Sequence, residues 1–275
     1  VTKELGDYAD IICTINEANL TSCFAHSFPN YPPEGIKTFL PFVDEAAKSC
    51  GSNLDNFGPF LFGHPYKIRD CMMEAHRKAF PVIKENLNNN QPVGITLSIM
   101  DYQCIEGGEE ERDKAHAESV DICLDQVKDD DFLGVQMYTR HTFGPDGIIM
   151  PDINTADMLV MGYEYYPESV ENVLRYVGPK INCPMIVTEN GIGTDDDQQR
   201  INYITTALEG LQRCLDDGLD IRGYYYWSFL DNFEWLFGYK PRFGLVDVDR
   251  NTLERKSKES LKFYKSIIEN SQINP

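Results

Sequence analysis

One alternation constrains this chain most: short apolar runs, each followed by a longer stretch of helical periodicity. The runs are residues 9–15 (ADIICTI), 92–99 (PVGITLSI), 132–138 (FLGVQMY), 185–188 (MIVT) and 221–230 (IRGYYYWSFL). Such runs, bounded by turn residues, predict buried strands. Residues 66–87, 110–127, 168–176, 198–218 and 257–269 predict helices. Ile68, Met72, Ala75, Ala79 and Ile83 mark the apolar face of the first, and Pro81 bends it or marks a boundary. Gly218 offers a stop for the helix that precedes it. Residues 29–63 read as irregular with a short helix around 37–48, and residues 100–110 and 139–166 read as loops.

No strand-to-strand hairpin section interrupts the series. The pattern predicts an α/β segment over residues 1–275, with a parallel sheet and helical crossovers. Five strands are too few to close an eight-stranded barrel. They fit an open doubly wound sheet or the last five strands of a barrel. No GxGxxG follows a strand and no Walker sequence occurs; Gly191-Ile192-Gly193 is too short to count.

Charge narrows the partners. Against 25 Lys and Arg stand 44 Asp and Glu, a formal net charge of −19. Nucleic acid is disfavoured, because phosphate binding needs a positive surface. Cys13, Cys104, Cys183 and Cys214 lie within or beside apolar segments and no CxxC occurs, which points to a reduced, cytoplasmic chain. His26, His64, His76, His116 and His141 lack metal-ligand spacing, so no metal or cofactor is expected. Asn19-Leu20-Thr21 matches a glycosylation sequon and reads as a chance match. No segment reads as a signal peptide or membrane span. Val1 stands where an initiator Met would, and an apolar run follows soon after, so a processed or truncated chain is expected.

The chemistry collects at strand ends. Thr14-Ile15-Asn16-Glu17 and Val187-Thr188-Glu189-Asn190 each set a carboxylate where a predicted strand stops. In a barrel, that edge carries the reacting groups. Two carboxylates on different strands can cleave a glycosidic bond, one protonating the leaving oxygen and the other attacking or activating water. Each Glu alone also fits a capping or surface carboxylate. Trp227, Phe233 and Trp235 could form an apolar wall for a sugar, with Glu234 accepting from its hydroxyls; Trp227 equally fits a core and Glu234 a salt bridge. Gly191 reads as a turn residue that lets the chain leave the strand tightly.

Taken together, these segments resemble the retaining β-glycosidases of glycoside hydrolase family 1, which are (β/α)8 TIM barrels. Thr14-Ile15-Asn16-Glu17-Ala18 is similar to the family's acid/base motif, Thr188-Glu189-Asn190-Gly191 to its nucleophile motif, and residues 227–235 (WSFLDNFEW) to its sugar-binding segment. The resemblance implies that Glu17 is the general acid/base and Glu189 the nucleophile. It implies that Asn16 binds the sugar 2-hydroxyl and that Tyr138 holds the nucleophile by a hydrogen bond. It places Trp227 under the sugar, with Glu234 and Trp235 reading the 4- and 6-hydroxyls. The implied reaction is a double displacement with retention, needing carboxyl groups about 5–5.5 Å apart. A carboxylate at Glu234 disfavours a 6-phosphoglycoside, and the presence of Glu17 disfavours the thioglucosidase branch. The expected substrate is a small β-glucoside or oligosaccharide, with galactosidase side activity.

Three departures stand out. Ala18 replaces the family's usual Pro and relaxes the backbone after Glu17. Gln136 stands two residues before Tyr138, where Asn is usual, and one extra methylene changes its reach; Met137 stands where an aromatic is frequent. A sugar-binding Gln, a His-Trp pair and an arginine from the family's first three strands have no counterpart. The expectation is therefore an incomplete barrel covering strands 4 to 8, completed by an N-terminal segment or by self-association. Two other readings stay open: an inactive or truncated relative that retains part of a carbohydrate-binding site, and a structural interaction protein.

Overall fold

Strand-helix alternation is what the chain builds. A computed structural model describes residues 1–27, 40–53, 57, 63–155 and 157–270. The chain divides into two units. The first comprises Val1–Gly134, His141–Ile149 and Lys180–Pro184; the second comprises Val135–Arg140, Met150–Pro179 and the described part of Met185–Pro275.

In the first unit, β1 (Ile12–Cys13) lies parallel to β2 (Val93–Ser98), with Ile12 opposite Val93 and Cys13 opposite Gly94. All six β2 residues are buried. A parallel strand covered on both faces is a continuous apolar run, which explains Val93, Ile95 and Leu97. Only glycine fits at 94, because a Cβ there would lie 2.2 Å from the Phe132 carbonyl oxygen. That approach belongs to β4 (Phe132–Gln136), which follows β2 in the hydrogen-bonded order β1-β2-β4. After a single helical turn at Thr2–Leu5 come α1 (Leu20–Ser27), α2 (Leu40–Ser49), α3 (Pro65–Glu85), α4 (Glu109–His116) and α5 (Ile122–Val127). Residues 37–39 of the helix expected near 37–48 lie outside the described residues.

Three expectations change here. Pro81 lies inside α3 and does not end it. The helix expected over 110–127 contains a π-turn, Ala117–Asp121, between α4 and α5. The regions read as loops hold β3 (Asp101–Cys104), β5 (Arg140–Gly144) and β6 (Gly147–Ile149), in the sheet order β3-β5-β6. β5 and β6 are an antiparallel hairpin, so the chain does contain one. These strands lack apolar alternation; the local signal was the turn Gly144-Pro145-Asp146-Gly147, whose last glycine sits at φ +108°.

The second unit carries the end of β4, then β7 (Met185–Asn190) and β8 (Ile221–Tyr226), in the order β4-β7-β8. β7 and β8 are parallel, with Met185 opposite Ile221 and Asn190 opposite Tyr226. β7 runs two residues further than expected, so Glu189 lies within the strand. β8 ends at Tyr226, four residues before the expected end. Helices α6 (Ser169–Val177), α7 (Asp197–Asp216) and α8 (Glu259–Asn270) complete the unit, with an antiparallel pair β9 (Val246–Val248) and β10 (Arg255–Ser257). Asp196 caps α7 by accepting from Gln198 N and Gln199 N. Ile204, Leu208, Tyr226 and Leu245 form one core cluster of this unit; Leu159, Ile192 and Tyr203 form another.

Candidate active site

The segment around Glu17 is held by β2. Beyond the two residues of β1, the ladder continues through Thr14 N to Gly94 O (2.9 Å) and Thr96 N to Ile15 O (3.2 Å). Thr96 then works with its side chain. Its hydroxyl donates to Asn16 Oδ1 at 2.9 Å and accepts from Glu17 N at 3.0 Å. Glu17 itself adopts φ +47°, a left-handed conformation that costs a non-glycine residue about 1–2 kcal/mol. The turn re-aims the chain directly after the strand.

Ala18 is buried, and its N–H donates to Thr96 O at 3.4 Å. A proline at that position would have no proton to give. Next, Asn19 is fully buried. Its Nδ2 donates to Ser98 O (2.7 Å) and Ser119 O (2.9 Å), and its Oδ1 accepts from Ser98 N (2.9 Å). Asn19 is thus a core clamp, which leaves no room for a glycan. On the other side, Thr14 Oγ1 lies 2.8 Å from His76 Nδ1, and His76 Nε2 lies 3.0 Å from Asp130 Oδ2.

Glu189 has two side-chain donors. Gln136 Nε2 donates to its Oε1 at 2.8 Å and Tyr138 OH to its Oε2 at 2.7 Å. The longer Gln136 therefore reaches the carboxylate. Burial raises the Glu189 carboxyl above its ordinary value; the Tyr138 bond pulls it down, and the charge of Glu234 pushes it up again. Gly191 leaves β7 with a φ that is not left-handed; the need for glycine there is steric, because a Cβ would lie 2.0 Å from the Trp227 carbonyl oxygen.

That approach fixes where Trp227 begins. Trp227 N donates to Asn190 O at 2.9 Å, and the Trp227–Ser228 peptide is cis. The indole Nε1 donates to Glu234 Oε1 at 3.1 Å. Burial raises the Glu234 carboxyl, opposed by hydrogen bonds from Trp227 and Asn232. The loop between them is anchored at Asp231, whose Oδ1 accepts from Gly244 N (2.7 Å) and Lys258 Nζ (3.0 Å). Trp235 stands apart from this pair, 79% exposed at the start of a 3-10 turn. Phe233 packs edge-on against Tyr239, with centroids 5.2 Å apart.

The second unit thus brings Gln136, Tyr138 and Glu189 together, and Trp227 with Glu234. The first unit holds Asn16 and Glu17. Sequence reasoning missed Thr96, His76, Asn190 and Tyr203. Thr96 lay inside a predicted strand, and Tyr203 on a predicted helix, so their types gave no separate signal. Among the described residues, no group of three His, Cys, Asp or Glu side chains could hold a metal, and no helix is long and apolar enough to cross a membrane.

Residues 150–273 match the model of glycosyl hydrolase family 1. The chain is 28% identical to beta-glucosidase A of Acetivibrio thermocellus, over 98% of this chain and 66% of that protein. It is 35% identical to beta-glucosidase A of Thermotoga maritima, over 51% of this chain and 35% of that protein. The crystal structure of beta-glycosidase BGL167 superposes with a TM-score of 0.84 at 36% identity, over 97% of this chain and 64% of that one. The chain spans 66% or less of the length of each of these relatives. Its fold class is the (β/α)8 barrel, of which it carries five sheet strands.

Proposed function

We propose that the chain is a member of glycosyl hydrolase family 1, whose model matches residues 150–273, and that it is a retaining β-glycosidase, foremost a β-glucosidase, with residues 1–275 a single catalytic segment. The observation that carries this reading is the Glu189 carboxylate, partly buried at the end of β7 and bonded by Gln136 and Tyr138. A nucleophilic carboxylate must be held still, ionised and desolvated enough to attack. Two donors fix one oxygen each, and burial with the Glu234 charge keeps its basicity above that of an ordinary surface carboxylate.

Glu189 attacks the anomeric carbon and forms the ester bond as the C–O bond to the aglycone breaks. Glu17 gives its proton to the departing oxygen. Water then attacks the glycosyl-enzyme, Glu17 takes the water's proton, and the ester to Glu189 breaks. Asn16 binds the 2-hydroxyl, Trp227 lies under the ring, and Glu234 and Trp235 receive the 4- and 6-hydroxyls. Glu234 as an anion disfavours a 6-phosphate. The substrate is a small β-glucoside or oligosaccharide, and the site of action is the cytoplasm.

An aryl β-glucoside assay beside Glu189→Gln, with the anomer followed by NMR, tests this. Loss of turnover in the variant and a β-anomer as first product are expected. Unchanged turnover in Glu189→Gln rejects the nucleophile, and a first-formed α-anomer rejects retention.

A further inference from the structure

The two donors to Glu189 hang from residues 136–138, so the backbone at Met137–Tyr138 decides where they point. We propose that Tyr203, on α7, is a positioning residue for Glu189, acting through Tyr138 and Asn190. The inference rests on the nucleophile role proposed above.

Tyr203 is fully buried, and its hydroxyl has one proton to give. That proton goes to Tyr138 O at 2.9 Å. The oxygen accepts in turn from Asn190 Nδ2 at 3.0 Å. Asn190 is the residue after Glu189, and its Nδ2 also donates to Met137 O at 2.7 Å. Its Oδ1 accepts from Tyr224 OH at 2.8 Å. The backbones meet once more where Met137 N donates to Glu189 O at 3.3 Å.

The result is a closed frame. One Tyr203 oxygen ties the carbonyl of Tyr138 to the side chain next to Glu189, while the Tyr138 hydroxyl reaches forward to Glu189 Oε2. A core tyrosine needs only some acceptor for its proton. This one bonds the backbone of Tyr138 and the side chain that follows Glu189. Its ring is held independently of the hydroxyl, edge-on to Tyr165 with centroids 5.6 Å apart and beside Leu159 and Ile192. Phenylalanine would keep that packing and lose only the tie. Small misplacements of a reacting group cost large factors in rate, on the order of 100-fold for 1 Å.

The test uses the intact protein and an activated 2-deoxy-2-fluoro-β-glucoside, whose covalent trapping on Glu189 is followed by intact mass. Tyr203→Phe should slow trapping about 10-fold or more and raise the acid limb of the kcat/KM pH profile, as is expected of Tyr138→Phe. A Tyr138→Phe/Tyr203→Phe double variant should lose clearly less than the product of the two single losses, because both act in part through the Tyr138–Glu189 contact. Trapping and an acid limb unchanged in folded Tyr203→Phe, or fully additive losses in the double variant, overturn the proposal. Should Tyr203→Phe not fold, Asn190→Ala removes the other half of the tie and is read the same way. Failure of the nucleophile assignment is separate: Glu189→Gln would then keep its turnover whatever Tyr203 does.

Discussion

Gln136 Nε2 donates to Glu189 Oε1 at 2.8 Å, and Tyr138 OH takes the other carboxylate oxygen at 2.7 Å. The longer side chain at 136 thus meets the carboxylate directly. A hydrogen bond to a charged group contributes about 1.5–3 kcal/mol. Gln136→Leu keeps a similar bulk and removes the donor, so kcat should fall about 10- to 150-fold. Steady-state kinetics on an aryl β-glucoside reads this; an unaltered kcat would show that the bond is idle in turnover.

The pH dependence follows from who faces Glu189. In the proposed mechanism attack needs its carboxylate, so activity should be lost as pH falls through its pKa. Burial sets that pKa above the ordinary value, with Tyr138 opposing and Glu234 reinforcing. Tyr138→Phe removes the influence that lowers it, so the acid limb of kcat/KM should move to higher pH. Glu234→Gln removes a negative neighbour, so the limb should move to lower pH. Opposite movements are expected; a shift in the same direction for both variants would contradict this electrostatic account.

Much of this was legible beforehand because parallel strands buried on both faces write themselves as apolar runs. β2, β4 and β7 follow that rule, and Glu189 stands out at the end of one such run; the run before Glu17 does not, since β1 is only Ile12–Cys13 and Cys13 is exposed. The hairpin of β5 and β6 was not legible, since His141 and Thr142 break any alternation and the turn between Gly144 and Gly147 was its one local cue. The exposure of Trp235 was equally hidden, because a motif records residue types and not which way a loop turns. Thr96 and Tyr203 act through single hydroxyls inside ordinary elements, and only their partners reveal them.

His76 makes a prediction about stability. Its Nδ1 lies 2.8 Å from Thr14 Oγ1 in a hydrogen bond, and its Nε2 lies 3.0 Å from Asp130 Oδ2. The imidazole is 1% exposed. His76→Ala takes the hydrogen-bond partner from Thr14 and empties the space beside Asp130, at about 1–3 kcal/mol for an unsatisfied group. Urea unfolding should show a midpoint shift of that size. A midpoint equal to the unsubstituted protein would mean that water replaces the imidazole without loss.

Gly191 and Gly218 separate two reasons for glycine. At Gly191 an added Cβ would lie 2.0 Å from the Trp227 carbonyl oxygen. Gly191→Ala must therefore push the backbone of Trp227 aside, and the indole bond to Glu234 moves with it. Overpacking of this kind costs about 1–3 kcal/mol, and KM for the glucoside should rise as well. At Gly218 a Cβ would meet nothing within 4 Å, but φ is +87°. Gly218→Ala should cost about 1–2 kcal/mol through the backbone alone and leave KM unchanged. Thermal unfolding and KM measured on both variants distinguish the cases. A normal KM in Gly191→Ala would show that Trp227 and Glu234 do not depend on that close approach.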